Sequence, residues 1–146
     1  MPGWSVEDAG SDDLVAIRSL LEDVDLPATD VGRTGQIFFV ARMAGAVIGC
    51  VGMEPYGEVA LLRSLAVTPR YRGQGLSFAL FERVTNEARS LCVRDLYLLT
   101  TTAEALFARW GFRRVVRDQV PAPVRESAEF TSLCPTTAAC MVRTLR

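Results

Sequence analysis

The sequence predicts a single mixed α/β domain spanning residues 1–146, because helical and β-type hydrophobic patterns alternate along the chain. The clearest helical pattern is "LSFALFERVTNEARSL" at residues 76–91, in which apolar residues recur every three or four positions. The clearest β-type pattern is "VALLRSLAV" at residues 59–67, which is almost wholly apolar and is therefore expected near the centre of a sheet. A chain of this length can bury one core of its own.

The first half of the chain predicts a helix and a hairpin. The segment "SDDLVAIRSLLEDV" at residues 11–24 has a helical stripe of apolar residues, and we expect Ser11 to cap its N-terminus. The β-rich runs at residues 36–45 and 46–53 predict a hairpin that turns at Gly45.

The second half adds a strand at residues 93–100 and a helix at residues 103–110. Thr101 and Glu104 have the spacing of a capping box for that helix, and Gly111 is placed to end it. Both signals indicate a short helix that closely follows the strand.

The chain closes with strands predicted at residues 112–118 and 137–145, around an irregular or partly helical segment at residues 120–135. The resulting order is β, α, β-hairpin, β, α, β, α, β and β. This order indicates a mixed α/β sheet rather than a helical bundle or an all-β sandwich.

The composition excludes several classes of function. The formal net charge is −1, histidine is absent, and all 16 basic residues are arginine. Histidine catalysis and lysine Schiff bases are therefore excluded, and no charge excess predicts a nucleic-acid or membrane partner. No run approaches the roughly 18 apolar residues of a membrane span, and the first residues lack a signal-peptide pattern, so we expect a cytoplasmic protein.

The four cysteines do not form a C-x-x-C pair, which argues against a zinc site or a redox motif, and no metal is expected. Cys50 and Cys140 lie in apolar runs, where reduced cysteines are commonly buried. Cys134, in "SLCP", follows a polar segment and is a candidate pocket residue.

The segment "RYRGQGLS" at residues 70–77 joins the apolar strand to the long helix. Helix N-termini present unpaired backbone N–H groups and a positive dipole end, and glycines at 73 and 75 let a large anion approach them. Arg70 and Arg72 add positive charge. The segment lacks the Gly-Lys-Ser/Thr ending of a Walker loop and the third glycine of a dinucleotide fingerprint, so a phosphate or pyrophosphate of another kind is predicted.

The wider stretch "LLRSLAVTPRYRGQGLSFALFERV" resembles the acetyl-CoA signature of the GCN5-related N-acetyltransferases, the GNAT family, with Arg70, Gly73 and Gly75 in register. The resemblance, which includes "LFARWGF", implies the GNAT fold: a mixed, mostly antiparallel sheet of six to seven strands with a splayed central parallel pair and flanking helices. It also implies acetyl-CoA as co-substrate, with its pyrophosphate on the amides of residues 72–77 and its pantetheine arm along residues 65–67. The positions thereby assigned to the co-substrate are Leu65, Ala66, Val67, Arg70, Arg72, Gly73, Gln74, Gly75, Leu76, Ser77 and Phe107.

The resemblance further implies that the Leu65 amide donates to the thioester carbonyl. Many members carry a tyrosine that protonates the leaving thiolate, but the matching position here is Phe107, and the family's upstream asparagine is matched by Thr100. A thiol has a pKa near 8.5, so its thiolate leaves without an obligatory proton donor. The carboxylates that remain as candidate bases for the incoming amine are Glu54, Glu58 and Glu129.

Arg63 stands in an otherwise apolar strand, which is costly unless an anion is its partner. That anion is either a structural Asp or Glu or an oxyanion of the substrate. The stretch "LYLLTTTAEALFARWGF" with "VPAPVRESAEF" and "SLCP" is similar to small arsenic-resistance N-acetyltransferases and, more distantly, to the acetyltransferase domain of N-acetylglutamate synthase. Both imply a small, acidic, glutamate-like amine, or an arsenic- or phosphorus-containing analogue of it, as acceptor. The expected acceptor contacts are Arg63, Ser64, Thr100, Thr101, Arg125 and Cys134.

Two other functions remain open on the sequence. One is a protein or peptide N-terminal acetyltransferase, and the other is a regulatory module that binds acetyl-CoA without turnover. The expected partner is a small-molecule amine, with no nucleic acid and no membrane, and the protein is expected to be a monomer or a homodimer.

Overall fold

The computed structural model describes residues 3–145, and they form one seven-stranded sheet with helices on both faces. The strand order is β1-β2-β3-β4-β5-β7-β6, and every neighbouring pair is antiparallel except β4 with β5. The strands are β1 (Trp4–Asp8), β2 (Ile37–Met43), β3 (Ala46–Tyr56), β4 (Val59–Val67), β5 (Asp95–Thr100), β6 (Arg113–Arg114) and β7 (Ala139–Thr144). Within residues 3–145 no helix is both long and apolar enough to cross a membrane.

The helices divide between the two faces of the sheet. They are α1 (Leu14–Asp23), α2 (Leu76–Ser90), α3 (Glu104–Arg109) and the short α4 (Ala122–Arg125). α2 and the end of α3 pack in the largest apolar cluster, against residues of β2, β3, β4 and β5. α1 and α4 contribute to two separate clusters that include other residues of the same strands. The sheet is therefore covered on both sides, as its apolar central strands require.

α2 is the predicted amphipathic helix, and its apolar stripe faces the sheet. Its buried apolar residues recur at helical spacing: Leu76, Leu80, Phe81, Val84 and Ala88. Full burial of a leucine, valine or phenylalanine side chain contributes roughly 1.5–3 kcal/mol, so this stripe anchors the helix on the sheet. That anchoring fixes the position of the helix N-terminus, which lies directly after the glycine-containing segment.

The parallel pair in the centre of the sheet is short. β4 and β5 are in register only from Val59 with Asp95 to Leu61 with Tyr97. Beyond Leu61, β5 continues to pair with β7 on its other side, whereas β4 has no register partner in β5. The two strands thus run together at their N-terminal ends and are unpaired towards their C-terminal ends, as expected from the resemblance.

A bulge in β4 accompanies this loss of pairing. Arg63 is opposite Gly52 and Ala66 is opposite Cys50, so β4 has one more residue than β3 in the interval. Ser64 lies within it with φ of 60°, in the left-handed region. The bulge reverses the alternation of side chains expected for an unbroken strand.

Two predicted helix caps are not formed. Ser11 does not cap α1: residues 11–13 form a 3-10 turn, and the Asp13 carboxylate accepts a 2.9 Å hydrogen bond from the Gly10 amide. Thr101 does not cap α3, because the Ala103 amide donates instead to Thr100 Oγ1 at 3.0 Å.

The strand predicted at residues 112–118 consists only of Arg113–Arg114. The predicted turn at Gly45 is confirmed, with φ of 82°, and so is the end of α3 before Gly111, with φ of 93°.

Candidate active site

A cavity of about 590 Å³ opens where β4 and β5 no longer pair. It connects the start of α2, the bulged end of β4, the end of β5 and the segment that precedes β7. The lining includes Arg63, Ser64, Leu65, Ala66, Val67, Arg72, Gly73, Leu76, Ser77, Thr100, Thr101, Phe107, Glu129 and Cys134. Residues assigned from the sequence to the co-substrate and to the acceptor therefore meet in one space.

The glycine-containing segment at residues 70–77 has two residues with left-handed backbone. Gly73 and Gly75 have φ of 79° and 81°, which favours glycine, and a Cβ built on either would meet no atom within 4 Å. Gly75 caps α2 without a side-chain hydrogen bond, and its carbonyl accepts from the Ala79 amide. The amides of residues 76–78 precede that first helical bond and have no acceptor within the helix.

Arg72 faces the cavity from this segment, and its Nε donates to the Val67 carbonyl at 3.2 Å. Arg70 is exposed and lies against the Tyr71 ring, outside the lining. Gln74 and Gly75 are also outside the lining. Of the two arginines, the structure therefore brings only Arg72 to the cavity.

The bulge places Leu65 at the point where β4 leaves both neighbours. Ser64 and Leu65 have no register partner on β3, and none on β5, in the described sheet. Leu65 and Val67 pack with the α2 cluster, whereas Leu61 packs with the α4 cluster. In an unbroken strand Leu61, Leu65 and Val67 would share one face of the sheet, but the extra residue in β4 inverts the alternation between Leu61 and Leu65.

Arg63 is held by carboxylates of the protein. Its side chain is 0% exposed, Nη1 and Nη2 donate to Asp30 at 2.5 and 2.6 Å, and Nη1 also donates to Glu54 at 2.7 Å. Nε donates to Ser64 Oγ at 2.9 Å and lies 3.6 Å from Glu129 Oε2. Burial alone lowers the pKa of Arg63, but these partners more than offset it and hold the pKa above its ordinary value. The structural ion pair, one of the two alternatives for Arg63, is the one present.

Glu54 belongs to this network rather than to the cavity lining. Its Oε1 accepts from the Tyr56 hydroxyl at 2.6 Å, and its Oε2 accepts from Gln36 Nε2 at 3.3 Å as well as from Arg63. Burial, followed by the bond to Glu54, raises the pKa of Tyr56. Glu58 is exposed in the turn before β4, at the end of the strand opposite Leu65. The structure therefore does not place Glu58 near an acceptor.

Glu129 is the carboxylate that lines the cavity next to Arg63 and Ser64. It is 4% exposed, and no donor in the described part of the chain forms a hydrogen bond with its side chain. Burial raises its pKa to about 7, and the nearby charges of Asp30 and Glu54 oppose the lowering effect of Arg63. A carboxylate with this pKa is matched to accept a proton near neutral pH.

Phe107 and Cys134 face the same space from two other segments. Phe107 is 7% exposed, and its ring contacts Trp110 and Phe112 edge-on. Cys134 is half-buried, and burial followed by the charge of Glu129 raises its pKa to about 12. The thiol is therefore protonated at neutral pH and is not an activated nucleophile.

The remaining predicted acceptor contacts divide into two groups. Thr100 and Thr101 line the cavity at the end of β5, but Arg125 is exposed on α4 and does not. Sequence reasoning missed Asp30, which is 1% exposed and forms the shortest contacts of Arg63. An aspartate in the segment "PATDVG" and an arginine in an apolar strand are each recognisable, but nothing local joins residues 33 positions apart.

No group of three or more potential metal ligands occurs among residues 3–145. The polar groups that line the described cavity are the guanidinium groups of two arginines, the carboxylates of Asp25 and Glu129, and hydroxyl and thiol side chains, set among apolar residues.

Comparison with known proteins supports the resemblance found in the sequence. Residues 34–114 match the family described as acetyltransferase (GNAT) domain. The amino-acid acetyltransferase of Pseudomonas syringae pv. syringae is 30% identical over 125 residues, covering 80% of this chain and 29% of that protein. The chain thus spans less than a third of the length of this curated relative.

Two solved structures are similar over nearly the whole chain. N-acetylglutamate synthase from Neisseria gonorrhoeae, complexed with coenzyme A and N-acetyl-glutamate, has a TM-score of 0.83 at 21% identity, covering 100% of this chain and 36% of that one. Rv2747 from Mycobacterium tuberculosis, in complex with CoA and NLQ, has a TM-score of 0.76 at 26% identity, covering 97% and 99%. With more than half of its residues in the family match, this chain belongs to the GNAT acetyltransferase family.

Proposed function

We propose that the chain transfers the acetyl group of acetyl-CoA to the amine of a small, amino-acid-like compound. The observation that carries this proposal is the single cavity that joins the N-terminus of α2 to Glu129 past the bulge at Ser64. An anion site at one end and a proton acceptor at the other are what direct transfer from an anionic thioester carrier to an amine needs.

In this proposal the pyrophosphate binds the free amides at the start of α2, with Arg72 beside it. Anions are stabilised at helix N-termini by these amides and by the helix dipole. The pantetheine arm then follows Leu65 to Val67, where β4 has no partner in β5 and is free to pair with an extended chain. The Leu65 amide donates to the thioester oxygen as negative charge develops on it.

The acetyl transfer itself requires one bond to form and one to break. The amine nitrogen attacks the thioester carbon, the nitrogen–carbon bond forms, and the carbon–sulfur bond breaks as CoA leaves as a thiolate. The proton lost by the amine passes to Glu129, directly or through water. Of the three carboxylates considered from the sequence, Glu129 has the position and the pKa for this role.

Phe107 faces the cavity, but its phenyl ring has no acidic proton to donate. The thiolate therefore leaves without a phenol donor and takes its proton from water. A free thiol has a pKa of about 8.5, so this departure is slow but feasible near neutral pH.

The amino-acid type of acceptor draws its support from the relatives, one of which is an amino-acid acetyltransferase. The narrower acceptor expected from the sequence is glutamate-like, or an arsenic- or phosphorus-containing analogue. Its proposed anion contacts receive less support, because Arg63 is occupied by carboxylates and Arg125 is exposed outside the cavity.

A peptide N-terminal acetyltransferase is the second candidate, since it shares the chemistry and differs only in the acceptor. The segment from the helical turn Glu129–Leu133 to Pro135 argues against this candidate. Residues of this segment line the acceptor end of the cavity and leave less room for a peptide. A module that binds acetyl-CoA without turnover is the third, and its motivation is Phe107.

The deciding experiment measures release of free CoA thiol from acetyl-CoA with a panel of amino acids, simple amines and short peptides. Thiol release with small amines but not with peptides supports the proposal. Release with peptides alone favours the second candidate. Tight acetyl-CoA binding with no release by any amine or peptide overturns the enzymatic proposal and favours the regulatory module.

A further inference from the structure

The cluster around Arg63 contains more negative than positive charge. One guanidinium faces the carboxylates of Asp30, Glu54 and Glu129, so the formal charge with all groups ionised is −2. The side chains are between 0% and 10% exposed, so solvent screens these charges weakly.

The guanidinium in this cluster has little capacity left for a ligand. Four of its five N–H groups are engaged: one with Ser64 and three with Asp30 and Glu54. A bidentate contact with a substrate carboxylate needs two N–H groups on one edge. The guanidinium of Arg63 therefore cannot receive a carboxylate in the arrangement that the structure shows.

Glu129 is the member of the cluster that is open to a ligand. Its carboxylate is buried at the cavity wall, and no donor among residues 3–145 forms a hydrogen bond with it. An ionised carboxylate accepts hydrogen bonds only, so it is complementary to an ammonium or another N–H donor and is repelled by an anion.

Among residues 3–145, no arginine other than Arg63 forms an ion pair with Glu129. The arginines that line the cavity are Arg63 and Arg72. Arg72 lies at the end of the cavity near the start of α2, where its Nε donates to the Val67 carbonyl. Arg117 is outside the cavity lining. Its guanidinium donates to the carbonyls of Pro135 and Ala138 and lies over the ring of Phe130.

From these contacts we infer that the acceptor is an amine whose side chain is neutral or cationic where it lies near Glu129, and that the site discriminates against acceptors with a side-chain carboxylate. This inference rests on the proposed function, since it concerns the acceptor of the same cavity. It separates this chain from the glutamate chemistry named for the Neisseria gonorrhoeae structure. The preference follows from charge, because like charges brought together in a buried site repel each other with little screening by solvent.

The test compares isosteric pairs of acceptors: glutamate with glutamine, and aspartate with asparagine. In steady-state thiol-release assays the neutral member of each pair is expected to have a kcat/KM at least about tenfold higher. Equal values, or higher values for the acids, overturn the inference while leaving the acetyltransferase proposal intact.

A charge variant shows whether the cluster is the cause. Glu54→Gln removes one negative charge from the cluster without changing the cavity lining, and it is expected to narrow the preference for the neutral acceptors several-fold. Glu58→Gln is the matched control, since Glu58 is exposed at the other end of β4 and is expected to leave the ratio unchanged. A ratio that does not respond to Glu54→Gln overturns the assignment to this cluster.

A binding measurement covers the case in which no amine releases thiol. Titration calorimetry of the same four amino acids into the CoA-loaded protein reports acceptor discrimination without turnover. If the proposed transfer fails, tighter binding of the neutral member still supports the inference. Equal or tighter binding of the acid overturns it.

Discussion

Arg63 and Asp30 are joined by two hydrogen bonds of 2.5 and 2.6 Å, and their side chains are 0% and 1% exposed. The pair connects the loop after α1 to the middle of β4, across 33 positions of sequence. Because Arg63 immediately precedes the bulged Ser64, the pair also fixes the place where β4 leaves the regular sheet.

We predict that Arg63→Met is strongly destabilising, because it leaves Asp30 and Glu54 buried without their cation. Breaking a buried ion pair from one side costs about 3–5 kcal/mol, which should appear as a lower midpoint in urea unfolding.

Arg42→Met is the matched control for this variant. It removes the same charge from a partly exposed pair with Glu7 and Asp13, where the side chain of Arg42 is 27% exposed, and it should lower the urea midpoint much less than Arg63→Met does. Equal losses in the two variants would contradict the structural role of the buried cluster.

The second prediction concerns the pH dependence of the reaction. Burial raises the pKa of Glu129 to about 7, and a base must be deprotonated to act, so kcat/KM should rise with pH and level off above about 7. The same shift makes the folded protein bind more protons than the unfolded chain between about 4.5 and about 7, so the contribution of Glu129 to stability falls as pH rises through that window.

Glu129→Gln tests this assignment directly. The variant should lose the rise of kcat/KM with pH that levels off near pH 7. Its kcat/KM should be roughly 10²- to 10⁴-fold lower, as expected for loss of a positioned base. Glu58→Gln should retain both the pH dependence and the value of kcat/KM. A Glu129→Gln enzyme with the original pH profile would show that another group accepts the proton.

The parts of the fold that depend on neighbours in sequence were predictable. Local sequence patterns of fewer than about 18 residues predict three features, since periodicity and turn signals act over that range. These features are the apolar stripe of α2, the hairpin turn at Gly45 and the end of α3 before Gly111. The start of α2 directly after Gly75 was predicted from the same kind of local signal.

The bulge at Ser64 was not predictable in this way. Left-handed backbone is uncommon for serine, and nothing in "LLRSLAV" indicates an extra residue. The bulge is visible only in the pairing of β4 with β3, and it lies next to the tertiary contacts of Arg63. For the same reason the sequence predicted that Arg63 needs an anionic partner but did not identify Asp30. It likewise left Glu54, Glu58 and Glu129 as equal candidates for the base.

The third prediction addresses the anion site. Gly75→Glu places a carboxylate at the N-terminus of α2, where the proposed pyrophosphate binds, and should weaken acetyl-CoA binding at least about 100-fold in equilibrium titrations. Gly57→Glu is a close control, because Gly57 also has a positive φ, 72°, with no atom within 4 Å of a built Cβ, in the hairpin turn at the far end of β4. Unchanged binding by Gly75→Glu would refute the loop assignment.

The fourth prediction is that Cys134 does not carry the acetyl group. Burial and the charge of Glu129 raise its pKa to about 12, so the nucleophilic thiolate is scarce at neutral pH. The Cys134→Ala variant should retain kcat within about threefold, since positioned groups contribute far more than that when they act in the chemistry. Intact-protein mass spectrometry after incubation with acetyl-CoA alone should show no acetyl adduct; an adduct that Cys134→Ala removes would indicate a covalent route.

The last prediction tests the consequence of having Phe107 at the cavity wall. Phe107→Tyr adds a hydroxyl to a ring that is 7% exposed and faces the space proposed for the thioester. A phenol there can donate a proton to the departing thiolate, so kcat should rise by about tenfold or more if carbon–sulfur cleavage limits the rate. Phe112→Tyr is the control, because Phe112 contacts Phe107 from the core side, is 4% exposed and does not line the cavity. It should lower stability without raising kcat, since its hydroxyl would be buried without a partner. A rate that falls in Phe107→Tyr while acetyl-CoA affinity is unchanged would place the thioester sulfur away from this ring.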